Sequence, residues 1–235
     1  MIIPGKYLLF LGDAKEQLDV KTACGLVDWA GERCVGQWRL SGCSVDLGLA
    51  DLSFAEARAG GAQTLVIGVT PFGGAIGEAW VAPIVAALEA GFHVASGMHM
   101  RLASIVEIAD AAPKSGTTLF NIRVPDRAYP VATGRKRIGR RMLMVGTDCA
   151  VGKKYTALAI TRAMTAAGTK AQFRATGQTG ILIAGEGIPI DAIVSDFVAG
   201  AAECLSPDNA PDHWDVIEGQ GSLFHPAYAG VAVGL

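Results

Sequence analysis

The segment Gly146-Thr-Asp-Cys-Ala-Val-Gly-Lys153-Lys154 has the composition of a loop that binds phosphate. It lies between an apolar run typical of a strand and a stretch typical of a helix. A glycine-rich turn in this place lets successive backbone N–H groups point at phosphate oxygens, and the helix N-terminus adds partial positive charge. The alternative is a turn with a structural role only. We predict that this loop and the first helical turn bind a phosphorylated cofactor, through Gly146, Thr147, Asp148, Cys149, Ala150, Val151, Gly152, Lys153, Lys154, Tyr155 and Thr156.

The loop departs from the standard phosphate-binding pattern in two ways. Five residues, instead of the usual four, separate Gly146 from Gly152, and the spacing resembles the GTDxxVGKT loop of dethiobiotin synthetase and its relatives. In addition, Lys154 stands where a Ser or Thr normally ligates Mg²⁺. A second cation favours a phosphate held without a metal. We therefore expect no metal ion, and a cofactor whose phosphates serve as handles.

Three acidic or imidazole side chains are our catalytic candidates. Glu218 ends a predicted strand in WDVIEGQGS, and the carboxyl ends of parallel strands line the ligand crevice. It would act as a general base in a transferase or ligate a metal in an ATP-using enzyme, or it would simply cap the next turn. His225 follows nearby and is equally a structural candidate. Asp196, in DAIVSDFVAGAAE, either caps the following helix or contacts a substrate or metal.

Two further segments are candidates for substrate binding. ATGQTG follows another predicted strand, with neutral hydrogen-bonding side chains between glycines that permit close backbone approach. SGMHMR follows a strand in the first half of the chain, and its arginine suits a carboxylate. The residues that we predict to contact substrate are Ser96, His99, Arg101, Gln178 and Thr179.

Composition excludes several classes of protein. Of 235 residues, 51% are hydrophobic and the net charge is −2, which excludes intrinsic disorder and argues against a nucleic-acid-binding protein. Charged residues interrupt every apolar run before a membrane span is reached. The first residues lack the pattern of a secretory signal, and five cysteines without a CxxC pair indicate reduced thiols. We expect a cytoplasmic protein that binds neither membrane nor nucleic acid.

Short apolar runs alternate with helical stretches, which predicts an α/β fold with parallel sheets. In the first half we predict strands over 6–11, 64–69, 92–95 and 119–124 and helices over 78–90 and 101–111. In the second half we predict strands over 142–145, 171–175 and 214–218, a helix over 153–167 and a partial helix within 190–205.

Residues 125–141 are rich in proline, glycine and basic side chains, and we place a boundary here between domains 1–133 and 134–235. The basic residues within this segment are Arg135, Lys136, Arg137, Arg140 and Arg141. They are either a solvated linker or a positively charged rim that attracts a phosphorylated cofactor. About 100 residues is small for a nucleotide-binding α/β domain, so we expect the second domain to be incomplete at its C-terminus.

Taken together, SGMHMRL, GTDCAVGKKYTAL, ATGQTGIL, DFVAGAAE and WDVIEGQGSLFHPAYAGV resemble the bacterial D-glutamate N-acetyltransferase family, long catalogued as a family of unknown function. The resemblance runs across the whole chain. It implies an N-terminal Rossmann-like domain followed by a P-loop-like domain, and transfer of acetyl from acetyl-CoA to the amine of a D-amino acid, chiefly D-glutamate. Members of the family continue beyond the point where this chain stops.

The implied reaction agrees with the candidate residues. Coenzyme A carries a pyrophosphate and a 3′-phosphate, which suit a loop without a Mg²⁺-ligating hydroxyl. Acetyl transfer needs a base for the amine, which would be Glu218 or His225, and donors for the oxyanion, which would be backbone N–H groups of residues 219–222. Cys149, at a helix N-terminus, would offer a thiolate if an acyl-enzyme formed.

Two other classes of function remain open from the sequence. One is an ATP-dependent ligase or kinase of the dethiobiotin synthetase type, which Lys154 opposes, and the other is a non-catalytic nucleotide-binding module. For the transferase we expect acetyl-CoA as co-substrate, a small amino acid as substrate, and further copies of the chain as partners.

Overall fold

The structure, a computed structural model, describes residues 1–69, 74–148, 151–226 and 229–235. The chain forms two compact units, Ile2–Arg123 and Val124–Leu235, and the second includes Met1. We call them the N-terminal and C-terminal units. The domain boundary predicted between residues 133 and 134 lies further along the chain and stays a prediction.

The N-terminal unit is built on a five-stranded parallel sheet with the order β2-β1-β3-β4-β5. Its strands are β1 (Lys6–Gly12), β2 (Cys34–Arg39), β3 (Ala62–Ile67), β4 (His93–Ser96) and β5 (Leu119–Asn121), and its helices are α1 (Lys21–Ala30), α2 (Phe54–Ala59), α3 (Glu78–Glu89) and α4 (Val106–Lys114). Every residue of β1 after Lys6 is buried. A central strand covered on both faces explains the continuous apolar run that predicted it.

One predicted helix of this unit begins later than expected. Residues 101–111 were predicted as a single helix, but a short 3₁₀ turn over Leu102–Ser104 precedes α4. The backbone of Ile105 between them is extended, and the Asn121 side chain accepts a hydrogen bond from the N–H of Leu102 at 2.7 Å. This bond to the end of β5 holds the turn outside the helix.

The C-terminal unit contains a three-stranded parallel sheet with the order β6-β8-β7. Its strands are β6 (Arg140–Leu143), β7 (Ala171–Arg174) and β8 (Trp214–Ile217), and its helices are α5 (Lys153–Ala166), α6 (Gln178–Ala184), α7 (Ser195–Leu205) and α8 (Ala229–Gly234). At the carboxyl end of the sheet, Ile217 of β8 is paired with Leu143 on one side and Arg174 on the other. Of these three strands, the one that comes last in the sequence is therefore the central one.

An apolar cluster supports this sheet from the side of α7. Ile190, Val198, Ala201 and Ile217 are all buried in it, and Tyr129 from the segment before β6 packs there as well. This cluster fixes β8 against α7. No helix within the described ranges is long and apolar enough to cross a membrane.

Two arginines of the basic segment are bound to the C-terminal end of α7, whereas Arg135, Lys136 and Arg140 are exposed. The guanidinium of Arg137 donates to the carbonyl oxygens of Ala202 and Ser206, and Arg141 also donates to Ser206. Arginines satisfy the carbonyls that a helix leaves unpaired at this end. The segment also lies at the start of β6, whereas the glycine-rich loop follows its end. The segment is thus partly solvated and partly tied to α7, and its role as a positively charged rim stays a prediction.

Candidate functional site

The carboxyl ends of the three strands in the C-terminal unit meet at one edge of the sheet. The glycine-rich loop follows β6, residues 175–177 follow β7, and residues 218–222 follow β8. Because β8 is central, the segment after it is flanked by the other two. The parallel topology thus brings together the loop and the Glu218 segment, as predicted for an open α/β sheet.

Glu218 is buried at the centre of this edge, with 3% of its surface exposed. Its Oε2 accepts hydrogen bonds from the backbone N–H groups of Thr176 and Gly177, each at 2.9 Å. The hydroxyl of Thr176 donates to the Glu218 carbonyl oxygen at 2.6 Å. The carboxylate is therefore fixed to the segment that follows β7, and its Oε1 accepts no hydrogen bond from the residues that the structure describes.

Two glycines make room for this carboxylate. A Cβ atom at position 180 would lie 2.1 Å from the Glu218 Oε2, and one at position 177 would lie 3.1 Å from its Oε1. Separations below about 3 Å do not occur for real Cβ atoms, so a side chain at 180 would displace the carboxylate. Any residue can adopt the helical backbone of Gly180, so glycine is needed here for the close packing and not for its conformation.

The surroundings of Glu218 raise its pKa. Burial has the largest effect, because it disfavours the charged carboxylate, and Asp191 acts in the same direction. The hydrogen bonds from Gly177 and Thr176 and the charge of Lys154 oppose it without reversing it. A carboxylate with a raised pKa is a stronger base than a solvated one, which suits proton transfer near neutral pH.

The glycine-rich loop ends at Gly152, whose φ of +99° is in the left-handed region, and α5 begins at Lys153. The ammonium of Lys153 donates to the carbonyl oxygen of Asp148 at 2.9 Å, so the lysine bends back over its own loop. A Cβ atom at Gly219 would lie 3.4 Å from the Lys153 side chain and 1.6 Å from the carbonyl oxygen of Met144. The loop lysine and the Glu218 segment are therefore neighbours.

Further hydrogen bonds join the loop to the turn after Glu218. The N–H of Leu223 donates to the carbonyl oxygen of Gly146, and the hydroxyl of Ser222 donates to that of Thr147, both at 2.9 Å. Ser222 is buried and also accepts from the N–H of His225 at 3.2 Å. Sequence reasoning named the segments that contain Ser222 and Thr176 but missed the hydrogen bonds of their hydroxyl groups. The sequence feature that could have indicated them is a hydroxyl-bearing residue next to a glycine, shortly after a predicted strand.

Lys154 is the second residue of α5 and lies close enough to Glu218 to lower its pKa. Its ammonium is also 4.4 Å from the centre of the Tyr155 ring. The cation that replaces the Mg²⁺-ligating hydroxyl thus acts on the buried carboxylate. Cys149 and Ala150, also predicted to contact the cofactor, lie outside the described residues. Val151 and Thr156 are exposed on either side of the start of α5.

The two other catalytic candidates are on the surface. His225 is exposed beyond the turn that contains Ser222. Asp196 is exposed in the first turn of α7. The prediction that Asp196 caps this helix is wrong, because the extended backbone of Val194 occupies the N-cap and places Asp196 inside the helix. Catalytic roles for both residues stay predictions.

The two substrate candidates of this unit open α6. The side-chain oxygen of Gln178 is buried, and no described residue donates a hydrogen bond to it. Thr179 is half-buried. Both belong to the segment whose backbone holds Glu218.

The remaining substrate candidates lie in the N-terminal unit, after β4. Ser96 is buried, and its hydroxyl accepts the N–H of Met98 at 3.2 Å. His99 and Arg101 are exposed. Within the described ranges, no group of three or more His, Cys, Asp or Glu side chains is placed to hold a metal ion. The expected absence of a metal stays a prediction.

Comparisons with known proteins match both halves of the chain. Residues 36–125 match the DUF1611_N model, described as a domain of unknown function with a Rossmann-like domain, and residues 130–235 match the DUF1611 P-loop domain. The predicted order of a Rossmann-like domain followed by a P-loop domain is therefore confirmed.

Two curated relatives match along the whole chain, and both are named D-glutamate N-acetyltransferase. The protein from Tritonibacter scottomollicae is 54% identical over 234 residues, which are 100% of this chain and 70% of the relative. The protein from a Pseudoalteromonas species is 48% identical over 235 residues, which are 100% and 71%. The crystal structure of a DUF1611 family protein from Anabaena variabilis is also similar, with a TM-score of 0.76 and 30% identity over 98% of this chain and 70% of that one.

Proposed function

This chain belongs to the DUF1611 family, and from that premise we propose that it is an N-acetyltransferase that acetylates D-glutamate with acetyl-CoA as the donor. The names of the two relatives support the reaction and the acceptor. The choice of donor is supported by the residues of the loop. The observation that carries the proposal is the buried carboxylate of Glu218 beside the glycine-rich loop and its lysine.

Glu218 would act as the general base. The amine of an amino acid is protonated near neutral pH and becomes a nucleophile only after it loses a proton, which Glu218 would accept. The nitrogen then attacks the thioester carbonyl carbon, so that a C–N bond forms and the C–S bond breaks. Coenzyme A leaves as a thiolate and takes up a proton. The backbone hydrogen bonds on Oε2 hold the base in place, and Oε1 is the oxygen on which the proton would arrive.

The loop would bind the phosphates of acetyl-CoA. Lys153 now donates to the carbonyl oxygen of Asp148, a bond that a phosphate oxygen would replace with a stronger, charge-assisted one. Lys154 adds a second positive charge where a nucleotide hydrolase would place Mg²⁺. Phosphates that are bound and not cleaved need no such metal.

The turn after Glu218 offers donors for the oxyanion. Among the residues that the structure describes, none accepts a hydrogen bond from the backbone N–H groups of residues 219–222. The bonds of Ser222 and Leu223 to the loop hold this turn in place. Preorganised backbone donors of this kind stabilise the charge that develops on a carbonyl oxygen.

A metal-dependence assay separates this function from the ATP-dependent ligase, which the loop alone would also fit. We expect the chain to release free thiol from acetyl-CoA when D-glutamate is added, with N-acetyl-D-glutamate identified by mass spectrometry. Because Lys154 replaces the Mg²⁺-ligating hydroxyl, turnover should continue in EDTA. L-Glutamate serves as the control acceptor. Loss of turnover in EDTA that magnesium restores would favour the ligase.

A further inference from the structure

The side chain of Gln220 lies in the turn after β8, beside the proposed base. It is half-buried, and its amide donates a hydrogen bond to the hydroxyl of Thr176 at 3.1 Å. That hydroxyl has a single proton, which it donates to the carbonyl oxygen of Glu218 at 2.6 Å, so toward Gln220 it can only accept. The NH2 group of the amide, and not its oxygen, therefore faces Thr176.

The same NH2 group borders the space next to the Glu218 Oε1. A Cβ atom at Gly177 would lie 2.4 Å from the Gln220 Nε2 and 3.1 Å from the Glu218 Oε1, so both atoms lie around one point. The NH2 group has two protons to donate. One is bound to Thr176, and none of the residues that the structure describes accepts the other. The turn thus places a hydrogen-bond donor close to the oxygen that would receive the proton of the amine.

Acyl transfer to an amine requires this pairing of a base and a donor. When the nitrogen attacks the thioester, an electron pair of the C=O double bond moves to the carbonyl oxygen. The pair returns when the C–S bond breaks, and the departing thiolate takes up the proton that the new amide nitrogen loses. In between, the oxygen carries negative charge one bond away from the carbon under attack. The base for the nitrogen and the donor for the oxygen must therefore lie close together.

We propose that the side-chain amide of Gln220 donates a hydrogen bond to the carbonyl oxygen of the thioester as this charge develops. The inference rests on the proposed function, and it adds a side-chain donor to the backbone N–H groups of residues 219–222. Amide side chains stabilise such an oxyanion when they are held in place before the reaction. Thr176 holds the amide of Gln220, and the bonds of Ser222 and Leu223 to the glycine-rich loop hold its turn.

The test is Gln220→Met, which keeps the length of the side chain and removes its N–H groups. We expect kcat for the acetylation of D-glutamate to fall about 10²–10³-fold, the usual cost of losing one oxyanion donor. KM for each substrate should change little, because a bond made only in the transition state lowers kcat and kcat/KM together. The midpoint of the pH profile should stay the same, since the backbone hydrogen bonds from Thr176 and Gly177 to Glu218 remain.

Gln172→Met is the matched control, because the amide of Gln172 is on the surface of β7 and donates to Glu186 at 3.2 Å. It should leave kcat unchanged. Gln220→Glu provides a second variant should Gln220→Met fail to fold, as judged by Tm. The glutamate keeps the shape of the side chain and, when ionised, has no proton to donate, so kcat at neutral pH should fall in the same way.

An unchanged kcat in Gln220→Met would overturn the inference. So would a fall in kcat together with a shifted midpoint of the pH profile, which would mean that Gln220 acts by positioning Glu218. A rise in KM for D-glutamate at unchanged kcat would also overturn it, because the amide would then bind the acceptor. Absence of turnover in the unaltered chain would contradict the proposed function, and this inference with it.

Discussion

At the scale of single residues, burial and hydrogen bonding act in opposite directions on Glu218, and burial has the larger effect, so its pKa is raised. As the pH rises through that raised pKa, the carboxyl group loses its proton and becomes able to accept one from the amine. We therefore expect kcat/KM for D-glutamate to rise with pH to a plateau, with a midpoint above the usual range of a glutamate.

A variant of Lys154 isolates the contribution of Glu218 from the ionisation of the amine itself. The charge of Lys154 lowers the pKa of Glu218, so Lys154→Gln should raise that pKa and move the midpoint of the pH profile to higher pH. In Glu218→Gln, kcat should fall by about 10²–10⁴, the usual contribution of a general base. A midpoint that is the same in the Lys154 variant would contradict the assignment of this group.

Gly180 provides a second prediction at this scale. In Gly180→Ala the new Cβ would lie 2.1 Å from the Glu218 Oε2, so the carboxylate must move and stability should fall by about 1–3 kcal/mol, as for other overpacked sites. Because the displaced carboxylate is no longer positioned to accept a proton, we also expect kcat to fall about tenfold or more. Gly230→Ala in α8 is the control, because nothing lies within 4 Å of the added atom. Equal kcat in the two variants would contradict the proposed role of the packing.

At the scale of elements, the loop and the start of α5 act together as an anion site. Lys153→Ala should weaken acetyl-CoA binding by roughly 1.5–3 kcal/mol, the range for a hydrogen bond to a charged group, as measured by titration calorimetry. Lys170→Ala is a matched control, because Lys170 pairs with Asp212 on the surface. Unchanged affinity of the Lys153 variant would rule out the phosphate-binding role of this loop.

The elements that the sequence predicted are those with a single dominant pattern. Lys6–Gly12 and Ala62–Ile67 are buried apolar strands, and their runs of Leu, Val and Ile are unambiguous. The edge strand Cys34–Arg39 was not predicted, because Gly36 and Gln37 interrupt its apolar pattern. Both residues are nevertheless buried: Gly36 packs against Ala50, and the amide of Gln37 donates to Asp46. Such a strand is stabilised by tertiary contacts that composition does not reveal.

The candidate site was predictable in outline for a topological reason. Parallel strands place their carboxyl ends at one edge, so the loop and Glu218 had to be neighbours once the sheet was assumed. Its decisive details were not predictable. The burial of Glu218, the space at Gly180 and the place of Gln220 next to Gly177 all depend on how the ends of β7 and β8 align.

At the scale of the whole molecule, the candidates divide between two units that each contain a parallel sheet. The C-terminal unit contains the loop and the buried carboxylate, to which the proposed reaction assigns the binding of acetyl-CoA and the proton transfer. Ser96, His99 and Arg101 belong to the N-terminal unit, and their contact with substrate stays a prediction. Arg101→Gln would test it, with an expected rise in KM for D-glutamate and none in KM for acetyl-CoA.

The central position of β8 has a consequence for the order of events during biosynthesis. β6 and β7 each pair only with β8 in the described sheet, although both leave the ribosome before it. Neither can form its ladder until residues 214–217 have emerged, so each strand pairing must bear the entropy cost of closing the long segment between its two strands. Nascent chains that stop before Trp214 would leave β6 and β7 without their partner in this sheet, and the strand that joins them is followed directly by Glu218. The pairing of β8 with its two neighbours is thus the step that brings Glu218 to the edge where the glycine-rich loop lies.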